Sequence, residues 1–224
     1  MKILIAVDSY KGSLTSLEAG QAIQAGIQNV SATHETEVIP IADGGEGILS
    51  VMLHTLGGKV QTIPVHNPCM ELIEAGYGIS TDGGTAFIEM ANASGLPLIP
   101  NSKRDPMETT TYGTGELIRD ALEKGCRKFI IGIGGSATND AGTGMLQALG
   151  YHFLDKDGNP LGQGGKILEN IVHICTQNVH KELKNAHFIV ACDVNNPFYG
   201  PNGAAYIFAR QKGANDSMIE ELDK

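Results

Sequence analysis

The chain has 224 residues, with 16 Lys and Arg against 25 Asp and Glu and a formal net charge of −9. That balance, without any basic run, excludes the electrostatic profile of a nucleic-acid or membrane-surface binder. Cys69, Cys126, Cys175 and Cys192 lie far apart, without CxxC or Cys/His spacing suited to zinc, and read as reduced thiols of a cytoplasmic protein.

In chain order, "MKILIAVD" holds an apolar run too short for a signal-peptide core or a membrane span, and "KILIAV" (2–7) reads as a strand covered on both faces. After the loop "DSYKGS", a helix is expected from Ser16 to Val30, with Thr15 and Glu18 at capping-box spacing. "TEVIPI" (36–41) is a second strand, "ADGGEG" (42–47) a glycine loop, and "ILSVMLHTL" a helix stopped by Gly57-Gly58. Residues 59–91 hold three strand patterns with turns and no helix between them, which predicts an antiparallel section. The loop-like stretch 94–106 is the expected lobe boundary, dividing a first lobe (1–92) from a second (93–224).

Further on, "GTGELIRDALEKG" reads as helix, "RKFIIGI" as strand, "NDAGTGMLQALG" as helix and "YHFLD" as strand, while 155–186 give no clear pattern. "HFIVACD" (187–193) is expected to be a buried strand. "NDSMIEELDK" starts a helix with Ser217 and Glu220 at capping-box spacing, and the chain stops about two turns later. That ending suggests a fragment of a longer protein. The alternation predicts an α/β protein, two-lobed, with mainly parallel sheets and flanking helices.

Ligands of open α/β sheets bind beyond the carboxyl ends of the strands. Asp8, Asp43, Asp140 and Asp193 fall there, most of them beside glycine- or asparagine-rich loops. Such a set suits a phosphate held by loop amides and a divalent metal held by carboxylates. The plainer alternative is that each Asp merely caps the next helix. Lys11 could neutralise a phosphate or hold a substrate carboxylate, or could be a solvated surface lysine. Gly44 and Gly45 would let the backbone approach a ligand, and Glu46 is equally a first-turn acid.

The central loop "GIGGSATNDAGTG" (132–144) has two readings. "GIGGSA" fits a dinucleotide turn, with Asp155 near the offset of a ribose-binding acid, which would make the protein an NAD-dependent oxidoreductase. Against this, Asp140 would sit in the first turn of the helix receiving the pyrophosphate and repel it. Ser136, Thr138 and Asn139 are also hydrogen-bonding groups that a dinucleotide turn does not need. No Walker A sequence and no HRD or DFG set occurs, so ATP use needs another architecture. The seven histidines form no metal-ligand spacing.

Taken together, "DSYKGS", "ADGGEG", "TTYGTGELI", "GIGGSATNDAGTGMLQALG", "ACDVNNPFYGPNGAA" and "QKGA" resemble the successive motifs of the bacterial type I glycerate kinases. The resemblance runs from Lys2 to the end of the chain, and members of that family are considerably longer. It implies two α/β lobes, one flavodoxin-like, with the site in the cleft between them. It also implies ATP- and Mg²⁺-dependent phosphorylation of D-glycerate in the cytoplasm, with 2-phosphoglycerate the favoured product. Within that frame Asp193 or Asp8 would be the general base and Lys11 would offset charge. Gly134, Gly135, Ser136, Thr138 and Asn139, with Gly44 and Gly45, would cradle phosphate, and Asp43 or Asp140 would hold Mg²⁺. An inactive fragment serving only in assembly is the third reading.

Overall fold

The computed structural model describes residues 1–10 and 13–224, so the expectation placed on Lys11 lies outside the described residues. Strand β1 (Lys2–Val7) pairs in parallel with β2 (Glu35–Pro40) across helix α1 (Ser16–Val30). The α1 boundaries are those expected, and the capping box is real: the Thr15 side chain takes the Glu18 amide, and the Glu18 carboxylate takes the Thr15 amide at 2.8 Å. Helix α2 (Ile48–Leu56) follows and stops at Gly57.

A five-stranded sheet holds the rest of the strand-rich chain in the order β3-β4-β5-β6-β9. Its members are β3 (Lys59–His66), β4 (Leu72–Ile79), β5 (Thr85–Glu89), β6 (Lys128–Gly132) and β9 (His187–Ala191). The first two pairings are antiparallel, as the turn-linked pattern of 59–91 predicts; β5, β6 and β9 are parallel. Helices α3 (Ala91–Ser94) and α4 (Tyr112–Glu123) bridge β5 to β6. Helix α5 (Thr143–Ala148) and the antiparallel hairpin β7 (His152–Leu154) and β8 (His173–Cys175) lie between β6 and β9. Helices α6 (Ala204–Phe208) and α7 (Asp216–Leu222) complete an α/β fold.

The core forms where α4 lies on the sheet. Leu117, Ile118, Ala121 and Leu122 recur at helical spacing and meet Val65, Tyr77, Ile88 and Phe129, all at most 1 % exposed. Each large side chain so buried contributes about 1.5–3 kcal/mol. Buried Tyr77 keeps its hydroxyl satisfied by donating to Asp120 Oδ2 at 2.6 Å.

The expected 92/93 boundary falls between β5 and β6 along the chain, and these two strands pair in parallel. Three other expectations differ from what is found. The apolar strands 2–7 and 187–191 are not covered on both faces within this chain: Leu4 is 59 % exposed, and Ile189 and Val190 about half exposed. Apolar composition shows that a strand prefers cover and is silent on which segment supplies it. The "NDAGTG" stretch is loop up to Gly142, the left-handed N-cap of α5, so Asp140 precedes the helix. Helix α7 is capped by Asn215, whose side chain takes the Met218 amide, and not by Ser217.

Candidate active site

The parallel strands β5, β6 and β9 end level with one another, Glu89 beside Gly132 and Gly132 beside Ala191. The "ADGGEG" loop after β2 is seated on these ends by backbone contact. Gly44 holds φ +94°, and a Cβ there would meet Ala191 O at 2.8 Å. A Cβ on Gly134 would fall 2.5 Å from Gly45 Cα, and the Gly134 amide donates to Gly44 O at 3.4 Å. These glycines therefore let two loops touch, whatever a ligand asks of them.

Glu89, at the end of β5, anchors the same loop: its carboxylate accepts from the Gly47 amide at 3.1 Å and the Leu49 amide at 3.5 Å. Burial pushes its pKa above the usual carboxylate value, against the pull of those two amides. Sequence reasoning missed this residue, because a strand-end Glu carries no signal of the loop it will meet.

The central loop is held from both sides. Leu96 N donates to Gly135 O at 2.9 Å, Ala137 N to Ser94 O at 2.9 Å, and Thr109 Oγ1 to Ala137 O at 2.9 Å. Asp140 is 1 % exposed. Its Oδ2 accepts from Thr111 N at 2.8 Å, Thr111 Oγ1 at 2.8 Å and Gly144 N at 3.2 Å, while Oδ1 accepts from Gly142 N at 3.1 Å. Both oxygens are thus engaged, and the charge sits at the amide-rich start of α5. The geometry gives Asp140 the work of tying α5 to the start of α4.

A cavity of about 680 Å³ opens over the strand ends. Asp43, Gly44, Gly45, Gly134, Gly135, Ser136 and Asp193 all line it, so seven of the expected positions meet in one place. Asp43 Oδ1 accepts from the Gly45 amide at 2.9 Å. Thr138, Asn139 and Asp140 instead line an adjoining, more apolar cavity of about 410 Å³, together with Ile131, Met145 and Phe188. Asp8 is not among the residues of either cavity; its Oδ1 accepts the Ser9 amide at 2.6 Å.

Asp155 lies on the β7–β8 side of the molecule, where it accepts from the amides of Asp157 and Asn159 at 2.9 Å each. It closes an exposed turn and lines neither cavity, so the ribose-binding role has no support. Among the described residues, no group of three or more His, Cys, Asp or Glu gathers in metal-binding fashion. All four cysteines are free thiols.

One further residue joins the two cavities. Lys212 follows α6, is 7 % exposed and lines both spaces. Its Nζ donates to Thr138 O at 2.6 Å and Ser136 Oγ at 3.0 Å. The motif "QKGA" marked the place in the chain; that its lysine would be buried against the central loop was not legible there.

An α/β fold that gathers carboxylates, glycine loops and a buried lysine at its strand ends has the layout of an anion-handling protein. The glycerate kinase family profile matches residues 3–224, and the chain belongs to that family. It is 51 % identical over 223 residues to the glycerate 2-kinase of Escherichia coli K12, covering 100 % of this chain and 58 % of that protein. Against the glycerate kinase of Haemophilus influenzae the identity is 50 % over 223 residues, covering 100 % of this chain and 59 % of the relative. A crystal structure from Salmonella typhimurium LT2, provisionally assigned as glycerate kinase 2, superposes with a TM-score of 0.88 at 48 % identity. That match covers 100 % of this chain and 60 % of the other. The chain therefore spans about three-fifths of the length of the relatives it matches.

Proposed function

We propose that this chain supplies the reaction cleft of an ATP-dependent kinase that phosphorylates D-glycerate to 2-phosphoglycerate. The observation that carries the reading is the meeting of the "ADGGEG" loop, the central glycine loop and Asp193 in one cavity, in a chain of the glycerate kinase family. Kinase chemistry requires phosphate positioning and charge neutralisation more than covalent participation by the protein. The amides of Gly134 and Gly135 and the Ser136 hydroxyl supply the first, together with Gly44 and Gly45.

Asp193 is the preferred general base, because it faces the cavity and Asp8 does not. Asp43 is the preferred Mg²⁺ ligand. A site with one or two carboxylates fits that ion, which keeps its waters and takes its other ligands from substrate phosphates. Bound there, the ion would neutralise charge on the phosphates. Asp140, with both oxygens engaged, is assigned to holding the loop on which phosphate rests. Lys11 keeps its proposed part in neutralising substrate charge. The four free thiols accord with a cytoplasmic reaction, and no helix among the described residues is long and apolar enough to cross a membrane.

The test is a coupled assay on the full-length protein with D-glycerate, ATP and Mg²⁺, followed by phosphorus NMR of the product. Glycerate-dependent ADP release with 2-phosphoglycerate as product is expected. Formation of 3-phosphoglycerate would overturn the regiochemistry, and absence of glycerate-dependent ADP release would overturn the kinase reading.

A further inference from the structure

Lys212 is costly where it stands. A buried ammonium loses hydration, and it normally recovers the loss through a carboxylate partner. Here, among the described residues, no carboxylate lies within ion-pair distance of it; its partners are a neutral carbonyl and a neutral hydroxyl. Asp140 is close enough to favour its charged form, yet that carboxylate is committed to Thr111, Gly142 and Gly144. Desolvation prevails and brings the Lys212 pKa down to about 8.

Fixing the central loop does not require this charge. Thr138 O needs a donor and Ser136 Oγ needs a partner, and a neutral amide could serve both at lower desolvation cost. An ammonium carries three N–H groups, of which two are used, and the third has no partner among the described residues. Lys212 is also the only cationic side chain among the described residues lining either cavity. It stands with Ser136 at their shared wall, while Asp43, Glu46 and Asp193 line the larger cavity only.

We propose that Lys212 is a catalytic residue whose Nζ binds the non-bridging oxygens of the phosphoryl group in transfer, at the junction of the two cavities. The assignment rests on the kinase reading above and adds to it the one cationic side chain that lines the cavities among the described residues. In the step, the bond from the γ-phosphorus to the β–γ bridging oxygen breaks, and its electron pair leaves on ADP. A new bond forms from that phosphorus to the glycerate hydroxyl oxygen, and the hydroxyl proton passes to Asp193. Lys212 keeps its proton throughout and offsets charge that is spread over the equatorial oxygens. The arriving phosphate supplies the anion that the buried ammonium lacks, so binding and charge relief coincide.

The test compares wild type with Lys212→Met in the full-length protein, by steady-state kinetics and by thermal melting with and without ATP·Mg²⁺. Turnover should fall about 100-fold or more. The melting temperature of the free protein should change little, because removing a buried unpaired charge offsets the loss of the donor to Thr138 O and Ser136 Oγ. The melting shift given by ATP·Mg²⁺ should shrink. Should the variant fold poorly, competitive acetylation of wild-type lysines read by mass spectrometry serves instead, with ATP·Mg²⁺ expected to protect Lys212 selectively. Kinetics of Lys212→Met within threefold of wild type, or acetylation of Lys212 unaffected by ATP·Mg²⁺, would overturn the assignment while leaving the kinase reading intact. A wild type that consumes no ATP with glycerate would overturn both.

Discussion

Replacing Gly134 by alanine tests whether the site is built by loops touching backbone to backbone. The added Cβ would lie 2.5 Å from Gly45 Cα and 3.3 Å from Gly45 N, and neither neighbour is a side chain that can swing away. Carbon atoms rest at about 3.5–4.0 Å, so the loops must part by about 1 Å. Overpacking of this kind costs about 1–3 kcal/mol, which lowers the melting temperature of a chain this size by about 2–4 °C per kcal/mol. The functional loss should be larger in proportion, since a displacement of about 1 Å in a positioning group can cost about 100-fold in rate. Two control substitutions separate packing from backbone strain. Gly47 has φ +92° and open space around its Cβ position, so Gly47→Ala should show strain alone, about 1–2 kcal/mol. Gly26, within α1 and also open, should gain about 0.5–1 kcal/mol as alanine. Urea unfolding and glycerate-dependent ADP release report the two properties. Wild-type stability and turnover in Gly134→Ala would refute the claim that loop contact shapes the cavity.

Asp140→Asn should destabilise by about 2–4 kcal/mol in urea unfolding, because an amide nitrogen replaces one acceptor oxygen and leaves buried donors of Thr111, Gly142 or Gly144 unpaired. A metal-ligand role would instead show as lost Mg²⁺ dependence with stability intact. Stability should also respond to pH above neutrality. The folded pKa of Lys212, about 8, lies below its ordinary 10.5, so between those values the unfolded chain binds the proton that the folded chain has lost. Stability therefore rises as pH climbs from about 8 toward 10.5, by at most about 3 kcal/mol for this residue. The difference between wild type and Lys212→Met in urea midpoint should move in favour of wild type over that window, and a constant difference would contradict the buried-ammonium assignment.

Much of the fold was legible because local rules decided it. The Thr15–Glu18 capping box set the start of α1, Gly57 set the end of α2, and strand patterns with intervening turns made 59–89 antiparallel. In each case the interacting groups are a few residues apart, so the chain itself holds the information. The glycine loops and strand-end acids were legible as a set for a related reason, since the C-terminal ends of strands collect ligand chemistry in open α/β sheets.

The partners of those loops were decided elsewhere. Asp140 and Asp193 look alike along the chain, yet one has both oxygens engaged by Thr111, Gly142 and Gly144 and the other faces the cavity. Asp155 has the spacing of a ribose ligand and closes an exposed turn instead. Lys212 stands 76 residues from Ser136 along the chain and 3.0 Å from it in space. Local sequence determined the elements, their caps and the chemistry available at the strand ends. Only the tertiary structure decided which carboxylate is spent on backbone amides and which lysine is stripped of water, because desolvation and hydrogen-bond competition depend on neighbours far away along the chain.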